Sequence, residues 1–168
     1  MSEPLEFVLR TVLIGSGATL VMDGWARLLR GFGIPSLNFA FLGRWIGHLP
    51  RGRLVHASIA QAPPVRGERL LGWCAHYLLG ISFAALLLST FGLKWARSPS
   101  LLPALFIGVV TVAAPLLVLQ PAWGAGIASL KTAKPLFNSA KSLVTHSVYG
   151  FGLYLAAQAA AALVPAAQ

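Results

Sequence analysis

The chain has 168 residues, of which 57% are hydrophobic and only 10% charged, with a net charge of +9 and a mean hydropathy of +0.74. This is too apolar for a water-soluble domain of that size, and it places the chain among membrane proteins. The lysines and arginines fall between apolar runs rather than along one amphipathic face, so no nucleic acid is expected, and they read as topology signals and contacts for anionic lipid.

Four apolar runs are long enough to cross a hydrocarbon core of about 30 Å, which takes about 20 helical residues. Helix is the expected state, because an isolated strand in lipid leaves its backbone polar groups unpaired. The first run, 7–29, follows an N-terminus without the basic segment of a cleaved signal peptide and is expected to be retained. A long connection, 30–69, comes next. Within it, Pro35-Ser36 opens a predicted short helix over 37–49, stopped by Pro50, with Phe41, Leu42, Trp45, Ile46 and Leu49 on its apolar side and Arg44 and His48 on the other. That pattern reads as an interfacial or re-entrant helix. A second short helix is predicted over 54–62, ended by Pro63-Pro64.

The second apolar run spans 70–91 and contains the only cysteine, Cys74, which excludes an internal disulfide and reads as a small buried hydrophobe. The third spans 101–119, with Ser100 as N-cap and Pro115 as a kink. The fourth spans 143–164. The fold class expected is therefore an all-α membrane protein, a single four-transmembrane-helix bundle with a long amphipathic or re-entrant helical loop between helices one and two.

Of the 13 basic residues, ten lie in the first and third connections or, as Arg27, at the end of the first run that leads into them; Arg10, Lys94 and Arg97 are the remainder. The positive-inside rule then puts those two connections in the cytoplasm and both termini outside. Trp25, Trp73, Trp95 and Trp123 lie near predicted helix ends, where an indole sits at headgroup level. Helices two and four share a His-x-x-x-Gly spacing, His76 to Gly80 and His146 to Gly150. Helices one and three share Ile-Gly followed by Thr, at Ile14-Gly15 with Thr19 and Ile107-Gly108 with Thr111. These matches hint at a duplication in parallel topology.

Ionisable groups inside a bilayer are costly and need a partner or a purpose. The topology brings Asp23, His76 and His146 to one depth, about 9 Å from the cytoplasmic helix ends at about 1.5 Å per residue. Two histidines and a carboxylate can ligate a divalent metal or relay protons, and haem is the less supported ligand. Each also has a plainer reading as a helix-to-helix hydrogen bond. The loop adds His48, His56 and Glu68 as acid–base candidates and Arg44, Arg51, Arg53 and Arg66, with Arg69, as groups for an anion or a lipid headgroup, roofing the site.

Several stretches together resemble a known family: Gly17-Ala-Thr-Leu-Val-Met-Asp23, Gly33-Ile-Pro-Ser-Leu-Asn38, Gly43-Arg-Trp-Ile-Gly-His48, Pro63-Pro-Val-Arg-Gly-Glu68, Ala75-His-Tyr77, Gln120-Pro121 and Thr145-His146 through Gly150. The chain resembles an uncharacterised bacterial inner-membrane protein family, domain of unknown function 2938. The resemblance implies a small polytopic membrane protein and brings no activity with it. Three functional classes follow from the residues: a polar site for a metal ion, haem or protons; a membrane-surface enzyme acting on a lipid-linked or phosphorylated substrate; and an accessory subunit of a larger membrane complex, or a homo-oligomer.

Overall fold

The computed structural model describes residues 2–166, and among these there are helices and no strands. Helix α1 (Glu3–Gly31) carries Pro4 in its first turn, Glu3 and Glu6 at its N-terminal end and Arg30 in its last turn, an arrangement that complements the helix dipole. Gly33, at φ +72°, turns the chain out of it, with its N–H bonded back to the Arg30 carbonyl. Helix α2 (Phe39–His48) is capped by Asn38, whose side chain accepts from the Ala40 N–H at 3.0 Å. Helix α3 (Glu68–Arg97) is long, but its backbone leaves helical geometry at Gly92, φ +76°. Helix α4 (Leu101–Ala122) is α-helical over Leu101–Val110 and widens to a π-helix over Ala114–Leu119, where the Pro115 ring supplies no N–H to the ladder. Helix α5 (Pro135–Leu163) starts on its proline.

The chain divides into two compact units, one made of Met1–Ile34, Tyr77–Thr111 and Thr145–Gln168, the other of Pro35–His76 and Val112–Val144. In the first, Ile14, Ala84, Leu87, Ile107, Tyr149 and Leu153 form the buried core. Glu6 and Arg10 are buried, whereas Leu20, Leu78, Leu102 and Phe106 are exposed, as lipid-facing side chains are.

Glycines set the closest helix contacts in this unit. A Cβ on Gly15 would lie 2.5 Å from the Ile81 Cα, and one on Gly80 would lie 2.0 Å from the Thr19 hydroxyl. A Cβ on Gly108 would likewise meet the Gly150 Cα at 2.5 Å. Thr19 donates to the Gly15 carbonyl and Thr111 to that of Gly108. The Ile-Gly and His-x-x-x-Gly helices thus pair twice, one and two through Gly15 and Gly80, three and four through Gly108 and Gly150.

In the second unit α2 meets the start of α3 at Gly43 and Gly72, where any side chain would run into the backbone of Glu68 or Phe39. The loop 54–62 lies against the end of α4, with the His56 N–H on the Ala122 carbonyl at 2.8 Å and the Ile59 N–H on that of Trp123 at 3.2 Å.

Four expectations need correction. Cys74 is exposed rather than buried. Three helices rather than four, α1, α3 and α4, are long and apolar enough to cross a membrane. The fourth run lies in α5, which has the length but is diluted by His146, Ser147, Tyr149, Tyr154 and Gln158. The second short helix, 54–62, does not form, because N–H groups that would build it bond across to Ala122 and Trp123. The first short helix is Phe39–His48, capped by Asn38 rather than opened at Pro35-Ser36.

Candidate functional site

The second unit gathers most of the loop residues singled out in the sequence. His48 ends α2 and is buried; its Nδ1 lies 2.8 Å from Nε2 of His56, with the two rings stacked at 5.0 Å and 26°. Which of the two facing ring nitrogens donates is set by the tautomers of the pair. Burial pushes His48 below the ordinary histidine range, and His56, Arg53 and Arg51 act in the same direction. Burial thus favours the neutral imidazole at His48.

Arg44 projects from α2 onto Glu68 at the start of α3. Its Nε donates to one carboxylate oxygen at 2.9 Å and its Nη2 to the other at 2.8 Å. Nη1 faces the carbonyls of Ile59, Ala60 and Ala62 at 3.0 to 3.1 Å. Glu68 in turn accepts the Val65 N–H at 2.9 Å. Glu68 raises the Arg44 pKa, so the guanidinium stays charged. This forked pair ties the 59–68 segment to both helices, and its geometry leaves little of Arg44 free to clamp an anion. Arg51, Arg53 and Arg66 are exposed. His76, at the unit's boundary, packs against Phe39 at 4.5 Å and Trp73 at 6.1 Å between ring centroids.

In the first unit, Asp23 accepts from the Tyr77 hydroxyl at 3.0 Å, a helix-to-helix bond, and the His146 Nδ1 meets the Thr111 hydroxyl at 3.0 Å. Tyr149 donates to the Gly80 carbonyl at 2.6 Å. Among the described residues no three His, Cys, Asp or Glu side chains are grouped to hold a metal ion.

Sequence reasoning passed over a third polar group. Arg10, 1% exposed, donates to Glu6 at 2.8 Å and to the carbonyls of Ala96, Ala160 and Val164 at 3.0, 3.3 and 2.7 Å. Arg97 grips the same Glu6 carboxylate at 3.0 and 2.6 Å. Arg10 therefore caps the C-terminal ends of both α3 and α5. The readable signal was the Glu6–Arg10 spacing of four within a helix. Tyr77 was missed as the partner of Asp23 because a tyrosine in an apolar run carries no charge to draw attention.

Residues 12–160 match the model of a family described as "Protein of unknown function (DUF2938)". No curated protein and no solved structure matches the chain.

Proposed function

The chain belongs to this family of unknown function, domain of unknown function 2938, and from that premise we propose that it is a multi-pass protein of the bacterial inner membrane whose activity is the handling of protons. The observation that carries the reading is the short hydrogen bond between two imidazoles, His48 and His56, one of them buried and held neutral. Such a pair holds one proton and passes it from nitrogen to nitrogen with little movement. Asp23 with Tyr77 and His146 with Thr111 are the proton-holding groups of the bundle in this proposal.

We further propose four crossings with both termini outside and the two basic connections in the cytoplasm. Support for the fourth comes from packing. The C-terminal end of α5 bonds Arg10, and a Cβ on Gly17 or on Gly152 would touch Ala156 or Ala18, so α5 runs antiparallel along α1. Its polar residues His146 and Tyr149 are buried, and the helix reads as too polar by composition while keeping those groups away from lipid.

Purified protein in liposomes loaded with a pH-sensitive dye tests the reading. Wild-type vesicles are expected to dissipate an imposed pH gradient at least tenfold faster than protein-free vesicles, and His48→Gln or His56→Gln to lose most of that rate. Equal rates for wild-type and protein-free vesicles overturn it. A second reading, acid–base chemistry on an anionic substrate at the membrane surface, is favoured by Arg51 and Arg53, exposed and close enough to His48 to bear on its charge.

A further inference from the structure

Hydropathy puts the last apolar run of the chain at 143–164, but the surface of α5 is apolar over a different stretch. Every exposed residue of this helix from Leu136 to Leu155 is apolar, the large ones being Leu136, Phe137, Leu143, Val144, Phe151 and Leu155. Spacings of four and seven put them on one stripe. Lys131 and Lys134 are exposed just before the stripe, and Gln158 is the next exposed residue after it. From Leu136 to Leu155 is about 20 residues, or about 30 Å of helix, which is the thickness of a hydrocarbon core.

The polar residues in the first turns of α5 lie off the stripe, and each is bonded inside the second unit. Asn138 donates to the Thr132 hydroxyl at 3.0 Å, Ser139 to the Ala128 carbonyl at 2.8 Å, Lys141 to the Pro35 carbonyl at 2.8 Å and Ser142 to the Asn138 carbonyl at 3.0 Å. Leu136, by contrast, is 86% exposed. A helix that turns bonded polar groups inward and bare leucine outward fits lipid on its outer side. Hydropathy averages the two sides together and so starts the run about two turns late.

Contacts to the neighbouring spans give the depth independently. His146 Nδ1 lies 3.0 Å from the Thr111 hydroxyl. Thr111 is beside the middle of the third apolar run, 101–119, and His146 is beside the middle of 136–155. Tyr149 donates to the Gly80 carbonyl at 2.6 Å and packs edge-on against Phe83 at 6.2 Å between ring centroids. Phe83 is as far past the middle of the α3 run, 70–91, as Tyr149 is past the middle of 136–155, to within about one residue, or about 1.5 Å. One nitrogen of Arg10 bonds the carbonyls of both Ala96 and Ala160, which are level on the same scale. If the crossing were 143–164, its middle would fall between Leu153 and Tyr154, and each of these contacts would join residues about 10 Å apart in depth.

We propose that α5 crosses the membrane over 136–155 rather than 143–164, with acyl chains packed against Leu136, Phe137, Leu143 and Val144, and that His146 with Thr111 lies at the membrane midplane. This rests on the four-crossing reading. It places one of the proton-holding groups named there at the depth farthest from water on either side.

Spin labels on single cysteines in a Cys74→Ser background measure depth in liposomes, through the ratio of collisions with oxygen, which concentrates in hydrocarbon, to collisions with a water-soluble nickel chelate. Leu78→Cys, at an exposed position near the middle of the α3 run, is the midplane reference. Val144→Cys is expected to match it, Phe137→Cys and Leu155→Cys to be several-fold lower and equal to each other, and Gln158→Cys to read as a label in water. Ala140→Cys, exposed one turn away, gives the same reading if Val144→Cys does not fold. A maximum at Phe151→Cys and Leu155→Cys, with Phe137→Cys in water, overturns the register and leaves the fourth crossing standing. Water-like ratios all along α5, with Leu78→Cys deep, overturn the fourth crossing and the proposal with it.

Discussion

A carboxylate with 0% exposure, shared by two arginines, is the most demanding residue in the molecule. Glu6 offsets a guanidinium that cannot reach water, since Arg10 is as buried as Glu6 itself, whereas the Arg97 side chain is about one-third exposed. Removing one member of a buried ion pair costs about 3–5 kcal/mol, because the other is left charged and unpaired. Glu6→Gln should therefore lower the unfolding free energy of the detergent-purified protein by about that much, while Arg97→Gln, whose partner keeps Arg10, should cost much less. Chemical denaturation of the two variants side by side checks the ranking; equal losses would mean that Arg97 carries as much as Arg10. The sequence pointed to the ionisable residues but not to their partners. Asp23, His48, His56, Glu68 and His146 were all picked out, yet the bond to Tyr77, the bond to Thr111 and the three carbonyls on Arg44 depend on chain segments far apart in number.

Helix boundaries were legible where composition and local chemistry agree. The run over 70–91 ends just short of Gly92, where α3 breaks its geometry, and the 101–119 run contains the proline around which α4 becomes π-helical. The loop was harder to read. Residues 54–62 look helical in isolation, and only the carbonyls of Ala122 and Trp123 decide otherwise. Close helix crossings follow from glycine and give a sharp contrast. Gly43→Ala would place a Cβ 1.8 Å from the Glu68 carbonyl oxygen, and Gly72→Ala would place one 1.7 Å from that of Phe39, whereas Gly24 has nothing within 4 Å. The first two substitutions should separate α2 from α3 and break the Arg44–Glu68 fork, measured as a thermal midpoint lower by several degrees. Gly24→Ala, in mid-helix and open space, should stabilise by up to about 1 kcal/mol. An unchanged midpoint for Gly43→Ala would contradict the packing.

At the scale of the whole molecule, composition was enough to establish an apolar helical protein, but it miscounted the spans that composition alone can certify. In α5 His146 and Tyr149 are buried while Gln158 is exposed, and a one-dimensional average cannot tell the two apart. Single cysteines in a Cys74→Ser background decide the count: with four crossings, residues 3 and 166 are both labelled by an impermeant thiol reagent from outside intact cells, and residue 66 only after lysis. Labelling of 3 and 166 from opposite sides would remove the fourth crossing. The Arg10 cluster also sets an order of events. Its acceptors at Ala96, Ala160 and Val164 are translated long after Arg10 itself, the last of them near the end of the chain. Before those segments are made, Glu6, four residues away on the same helix, is the partner within reach of Arg10. Assembly of the bundle thus closes at its two ends together, and a nascent chain released before residue 160 lacks the cap that completes it.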